Sequence, residues 1–125
     1  MITLDKEQIK RLHSMQIEAT GGLDGIRDEA MLDSALASAF QTFGGVELFP
    51  STIEKIARVA YGLVSNHPFI DGNKRIGTFV MLVLLELNEL SAEFTDDDII
   101  HVGLEMANAN MDDKKLLDFI LKHIN

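Results

Sequence analysis

Apolar positions recur at three- and four-residue spacing along most of the chain, and this periodicity predicts six helices. The first covers roughly residues 4–19, with Thr3 as its N-cap and Ile9, Leu12 and Gln16 on one side. Thr20-Gly21-Gly22 stops it, and Asp24-Gly25-Ile26-Arg27 reads as a turn. Asp28 caps a second helix reaching about Phe43, with Met31, Leu32, Ala35, Leu36, Ala39 and Phe40 on one face. Gly44-Gly45 breaks that helix. The next segment, Val46-Glu47-Leu48-Phe49, is short and extended in character and ends at Pro50, so it reads as a flap.

Ser51 caps the third helix, whose inner face carries Ile53, Ile56, Ala57, Ala60, Tyr61 and Val64. Pro68 keeps it from running on smoothly. The fourth, from about Lys74 to Asn88, is apolar nearly all round and is expected to be the central, buried helix. Thr95 caps the fifth, whose first turn, Asp96-Asp97-Asp98, suits the positive end of the helix dipole. Asp112 caps the sixth. The pattern predicts an all-α bundle with a polar loop held between helices three and four.

Composition narrows the classes of function. A chain of 125 residues fits one domain, residues 1–125, and 46% apolar residues are enough for a core. Without cysteine there is no disulfide, thiolate zinc site or cysteine nucleophile. The first residues lack the pattern of a signal peptide, and the longest apolar run, Phe79 to Leu85, is too short to cross a bilayer. A cytoplasmic protein with no membrane contact is the expectation. The net charge of −9 argues against direct nucleic-acid binding through phosphates. That charge is uneven: residues 76–113 hold nine acids and neither Lys nor Arg, while the rest balances at 11 acids to 11 bases. Lys74-Arg75 is thus the last cation pair before a long acidic segment, and a bound anion gives it a local reason.

The chemistry concentrates in His67-Pro68-Phe69-Ile70-Asp71-Gly72-Asn73-Lys74-Arg75, at the head of the fourth helix. A helix start offers free N–H groups and a positive dipole end to phosphate. An ordinary histidine pKa of about 6.5 suits His67 to take a proton from an attacking hydroxyl. Asp71 can hold Mg²⁺, which binds one or two carboxylates together with substrate phosphates. Gly72 lets phosphate approach the backbone, Asn73 starts the helix and adds a polar ligand, and Lys74 and Arg75 neutralise phosphate oxygens. Phe69 reads as a structural anchor for the loop. Taken singly, a helix-end histidine, a turn aspartate or a solvent-facing cation pair is commonplace in structural roles. A Walker-type loop is excluded, because no Gly-x-x-x-x-Gly-Lys-Ser/Thr occurs. His13, His101 and His123 lack matching partners and read as structural or surface residues.

As a unit the loop is specific. At every defined position it resembles the signature of the Fic/Doc family, His-x-Phe-x-Asp/Glu-Gly-Asn-Gly/Lys-Arg. Gly21-Gly22-Leu23-Asp24-Gly25-Ile26-Arg27-Asp28 and Thr42-Phe43-Gly44-Gly45 resemble the N-terminal half of its death-on-curing (Doc) branch. The resemblance implies an all-α fold and transfer of a phosphate-containing group from a nucleotide to a protein hydroxyl. It makes His67 the base, Asp71 the Mg²⁺ ligand, residues 72–75 the anion loop, and Val46, Glu47, Leu48 and Phe49 the flap that positions the target. AMP-transferring members typically have Gly where this chain has Lys74 and a second Arg where it has Thr78. Those differences resemble the Doc branch, which transfers the γ-phosphate of ATP to elongation factor Tu and arrests translation. Adenylyl transfer by the same loop is the alternative, and a catalytically silent interaction module is another. The inhibitory Ser/Thr-x-x-x-Glu-Gly/Asn segment of self-restrained relatives is approached only by Ser14-Met15-Gln16-Ile17-Glu18, which Ala19 follows. Restraint is therefore expected from a separate small antitoxin with a disordered tail.

Overall fold

The computed structural model describes residues 1–125. It contains helices α1 (Lys6–Thr20), α2 (Glu29–Ser38), α3 (Thr52–Ser65), α4 (Asn73–Leu87), α5 (Asp96–Ala107) and α6 (Asp113–His123). One hairpin of two short antiparallel strands, β1 (Thr42–Phe43) and β2 (Val46–Glu47), lies between α2 and α3. The all-α class read from the sequence is the class observed.

Caps set most of the boundaries. Ser51 with Glu54, and Thr95 with Asp98, form reciprocal capping boxes, and Asp28 and Asp112 each accept from a first-turn N–H. The first helix departs from expectation. Its cap is Asp5, not Thr3, because Asp5 and Gln8 satisfy each other's backbone N–H groups. Its buried face is Ile9, His13 and Ile17, turned one position from the predicted stripe of Ile9, Leu12 and Gln16.

The second helix is shorter than predicted and ends at Ser38, not near Phe43. The Ser38 hydroxyl bonds back to the Ala35 carbonyl, and the Gln41 side chain takes the Ser38 carbonyl. Thr42 and Phe43 then suit an extended strand. Gly44-Gly45, with φ of 59° and 80°, supplies the tight hairpin turn. What reads as a helix stop is a hairpin turn, and of the flap of residues 46–49 only Val46 and Glu47 form its return strand, Leu48 and Phe49 bending toward α3.

A core of 20 buried apolar residues runs through the bundle, with α3 and α4 at its centre. Helix α4 buries Ile76, Val80, Met81, Leu84 and Leu85, as its composition predicts. Helix α3 shares that central place, packing against α2, α4, α5 and α6. The two approach closely at Gly77, where a Cβ would come within 2.4 Å of Val64 Cγ2, so a larger residue there would force the pair apart. This contact holds the end of α3 and the start of α4 together, and the polar loop spans the gap.

Candidate active site

The loop from His67 to Gly72 is pinned from three sides. From the turn before α2, the N–H groups of Arg27 and Asp28 donate to the Pro68 carbonyl at 2.8 and 3.0 Å. The Arg27 guanidinium donates to the carbonyls of His67 at 2.6 Å and Asn66 at 2.9 Å. Ile70 N–H returns a bond to Gly25 at 3.1 Å. His67 is exposed with φ of 48°, a left-handed conformation uncommon outside glycine. The bonds to its own and its neighbours' carbonyls hold it there, and such conformations concentrate at functional sites.

Inside the loop, Asn73 closes a ring. Its side-chain oxygen accepts from Phe69 N–H at 2.9 Å and its amide donates to the Phe69 carbonyl at 3.0 Å. The side chain is thus engaged with the loop backbone at both ends. Phe69 is buried, in keeping with an anchor. Gly72 sits at φ of 76° and is the N-cap residue of α4. Every other helix has a side chain bonded to its first turn, whereas α4 has none. Its leading N–H groups have no side-chain acceptor, and Lys74 beside them is exposed. That suits an anion.

Asp71 lies where α1 ends. Its carboxylate accepts from the N–H groups of Leu23 at 3.1 Å and Gly72 at 2.8 Å. Those bonds, Leu23 first and then Gly72, hold its pKa below the ordinary aspartate value, with Arg75 and His13 adding to the effect and desolvation opposing it. The group is an exposed carboxylate held in its charged form, and no cluster of three acidic or imidazole groups surrounds it. Such a lone carboxylate suits Mg²⁺, which leaves further positions to water and phosphate. Arg75 turns toward the end of α1, donating to the Thr20 hydroxyl and, at 3.2 Å, to the Gly21 carbonyl. It therefore ties α1 to α4 as well as bringing charge to the loop.

Thr78 is buried, its hydroxyl turned back onto the carbonyls of Lys74 and Arg75 at 3.1 Å each. Position 78 thus brings neither charge nor a free donor to the loop. The Lys74 stem crosses α5 at Gly103, where a Cβ would come within 2.9 Å of it. A hollow of about 220 Å³ opens beside these residues, walled by Ile99, Ile100 and Leu104 of α5.

The flap is exposed at Val46, Glu47 and Leu48, and Phe43 beside it is 81% exposed. Its base is fixed by Lys55 of α3, which bonds the Phe49 carbonyl and pairs with Glu47 at 3.0 Å. Three contributors escape the sequence reading. Arg27 looks like a turn residue until its bonds to residues 66 and 67 are seen. Gly22 looks like a helix stop, yet it makes room for the Asp71 carboxylate. His13 looks isolated, although its spacing of four from both Ile9 and Ile17 signals burial.

Gly22 yields a direct prediction. Its φ is 116°, and a Cβ there would stand 2.7 Å from Asp71 Oδ2. Gly22→Ala is expected to fold and to displace that carboxylate, lowering any transfer activity on the order of 10²-fold. Gly21→Ala is the control for backbone strain alone, because its Cβ would meet nothing within 4 Å. Labelled-ATP transfer rates for the two variants check this.

Fold and site together define a helical protein with a polar, uncapped loop at the head of a central helix, carrying a histidine and a carboxylate. Residues 3–85 match the Fic/DOC family, and the chain belongs to that family. It is 32% identical over 111 residues to the Toxin Doc of Mycolicibacterium smegmatis (strain ATCC 700084 / mc(2)155), a match covering 87% of this chain and 83% of that protein. No helix is long and apolar enough to cross a membrane.

Proposed function

We propose that this chain is a Doc-type toxin that transfers the γ-phosphate of ATP to a Ser or Thr hydroxyl of a translation factor. The observation that carries the proposal is the α4 start without a side-chain cap, directly preceded by His67 and Asp71 in one braced loop. His67 takes the proton of the attacking hydroxyl as its oxygen bonds to phosphorus and the bond to ADP breaks. The first N–H groups of α4 and Lys74 bind phosphate oxygens, with Arg75 supplying further positive charge. Asp71 is the residue to hold Mg²⁺, whose charge offsets that of the phosphates. The flap residues Val46 to Phe49 begin with the short exposed strand β2, along which a target segment can lie.

The preference for phosphate over AMP rests on positions 74 and 78. Lys74 adds bulk and charge where bare backbone would otherwise meet a nucleotide, and Thr78 is spent on the helix backbone. Elongation factor Tu is the target put forward, on resemblance to the Doc branch. A small antitoxin with a disordered tail is the proposed restraint, and the cytoplasm the proposed location. Incubation of the protein and elongation factor Tu with ATP labelled at either the α or the γ phosphate tests the reading. Label from the γ position on the target is expected. Label from the α position would overturn it in favour of adenylyl transfer.

A further inference from the structure

His13 of α1 is 1% exposed, a degree of burial that a histidine reaches only with a reason. Its ring stacks on Phe69, with centroids 3.8 Å apart and planes 9° from parallel. Its Nε2 lies 2.7 Å from the Asp71 carbonyl oxygen. A carbonyl only accepts, so Nε2 carries the proton and donates. The other nitrogen, Nδ1, has no hydrogen-bond partner and lies 3.5 Å from an oxygen of Asp24, itself tethered by the Ser14 hydroxyl at 3.0 Å.

A leucine or phenylalanine would fill this space without an unpartnered nitrogen. What the imidazole adds is one donor, aimed at the backbone of the residue whose carboxylate faces the site. The same nitrogen lies 3.5 Å from where a Cβ on Gly72 would be, so it also backs the left-handed turn that begins α4. Stack and donor together fix Phe69, Asp71 and Gly72 against the middle of α1. The N–H groups of Leu23 and Gly72 then fix the Asp71 carboxylate.

We infer that His13 is a positioning residue, resting on the transfer reading above: through the Asp71 carbonyl and the Phe69 ring it sets the direction of the Asp71 carboxylate. Residues behind a metal ligand that set its orientation typically change metal affinity by about 10- to 100-fold when replaced. Two variants separate donor from shape. His13→Phe keeps an aromatic stack and loses the donor, while His13→Gln keeps a donor at the Nε2 position and loses the ring.

The experiment measures Mn²⁺ binding to the full chain by electron paramagnetic resonance with ATP present, and amide exchange at Leu23 and Gly72 without it. In His13→Phe, a Mn²⁺ affinity about 10- to 100-fold weaker and faster exchange at both amides are expected, with both returning toward wild type in His13→Gln. Unchanged affinity and exchange in a folded His13→Phe would overturn the inference. So would losses in both variants that merely follow the loss of helical signal, since those indicate packing alone. If the wild type binds no Mn²⁺, the transfer reading is what fails. Exchange at the two amides then still decides whether His13 orders the loop.

Discussion

Replacing His67 by asparagine is expected to lower transfer by about 10²- to 10⁴-fold and to abolish growth arrest, while leaving the helical fold and its thermal midpoint unchanged. The side chain is exposed and contributes nothing to the buried core, so its loss removes little packing. The backbone is the sensitive part, because φ at this position is 48°. Asparagine tolerates the left-handed region far better than alanine does, so His67→Asn removes the imidazole with the least backbone penalty. The bonds from Arg27 reach the carbonyls of residues 66 and 67 and survive the change. A general base is worth about 10²- to 10⁴-fold in rate, and a loss of that size is expected in the labelled-ATP assay. His67→Ala should lose as much activity and also some stability. Growth arrest persisting in folded His67→Asn would instead identify an interaction module that needs no chemistry.

Much of this candidate site is legible in the sequence, for a physical reason. Loop chemistry is local: His67, Asp71, Gly72, Lys74 and Arg75 are close in space because they are close in sequence. Helix caps are legible on the same ground, and Ser51, Thr95 and Asp112 all behave as read. What fails is what depends on partners far along the chain. Arg27 is 40 residues from the carbonyl it holds, and His13 is 58 from its own. The second helix ends early for a subtler reason. Its apolar spacing continues through Ala39 and Phe40, yet hydrogen bonds from Ser38 and Gln41 and the diglycine turn favour a hairpin. Periodicity reports which face is apolar, but it does not report where the backbone turns away. Asn73 shows a further limit: its residue type suits either ligand or latch, and only the two bonds to Phe69 show it engaged as a latch.

Asp71→Asn gives the second large effect and separates the carboxylate's charge from its shape. The amide is nearly isosteric, and its one oxygen can still accept from either Leu23 or Gly72. Its NH₂ group must then face the other N–H, donor against donor, where the carboxylate accepted both. Transfer is expected to fall by several kcal/mol of metal-assisted stabilisation, on the order of 10²- to 10³-fold, with Mn²⁺ binding lost in parallel. Stability gives an independent check through pH, in metal-free buffer. The folded pKa of Asp71 lies below its ordinary value of 3.8, so the unfolded chain binds the proton more readily. The stabilisation from its N–H bonds is therefore fully present above that value and is lost as pH falls through the lower folded value. The thermal midpoint of the wild type should exceed that of Asp71→Asn by a constant margin from neutrality down to about pH 4, and the margin should close below it. A margin that widened on acidification would mean that the carboxylate is not held in the charged form, and the Leu23 and Gly72 bonds would lose their place in the site.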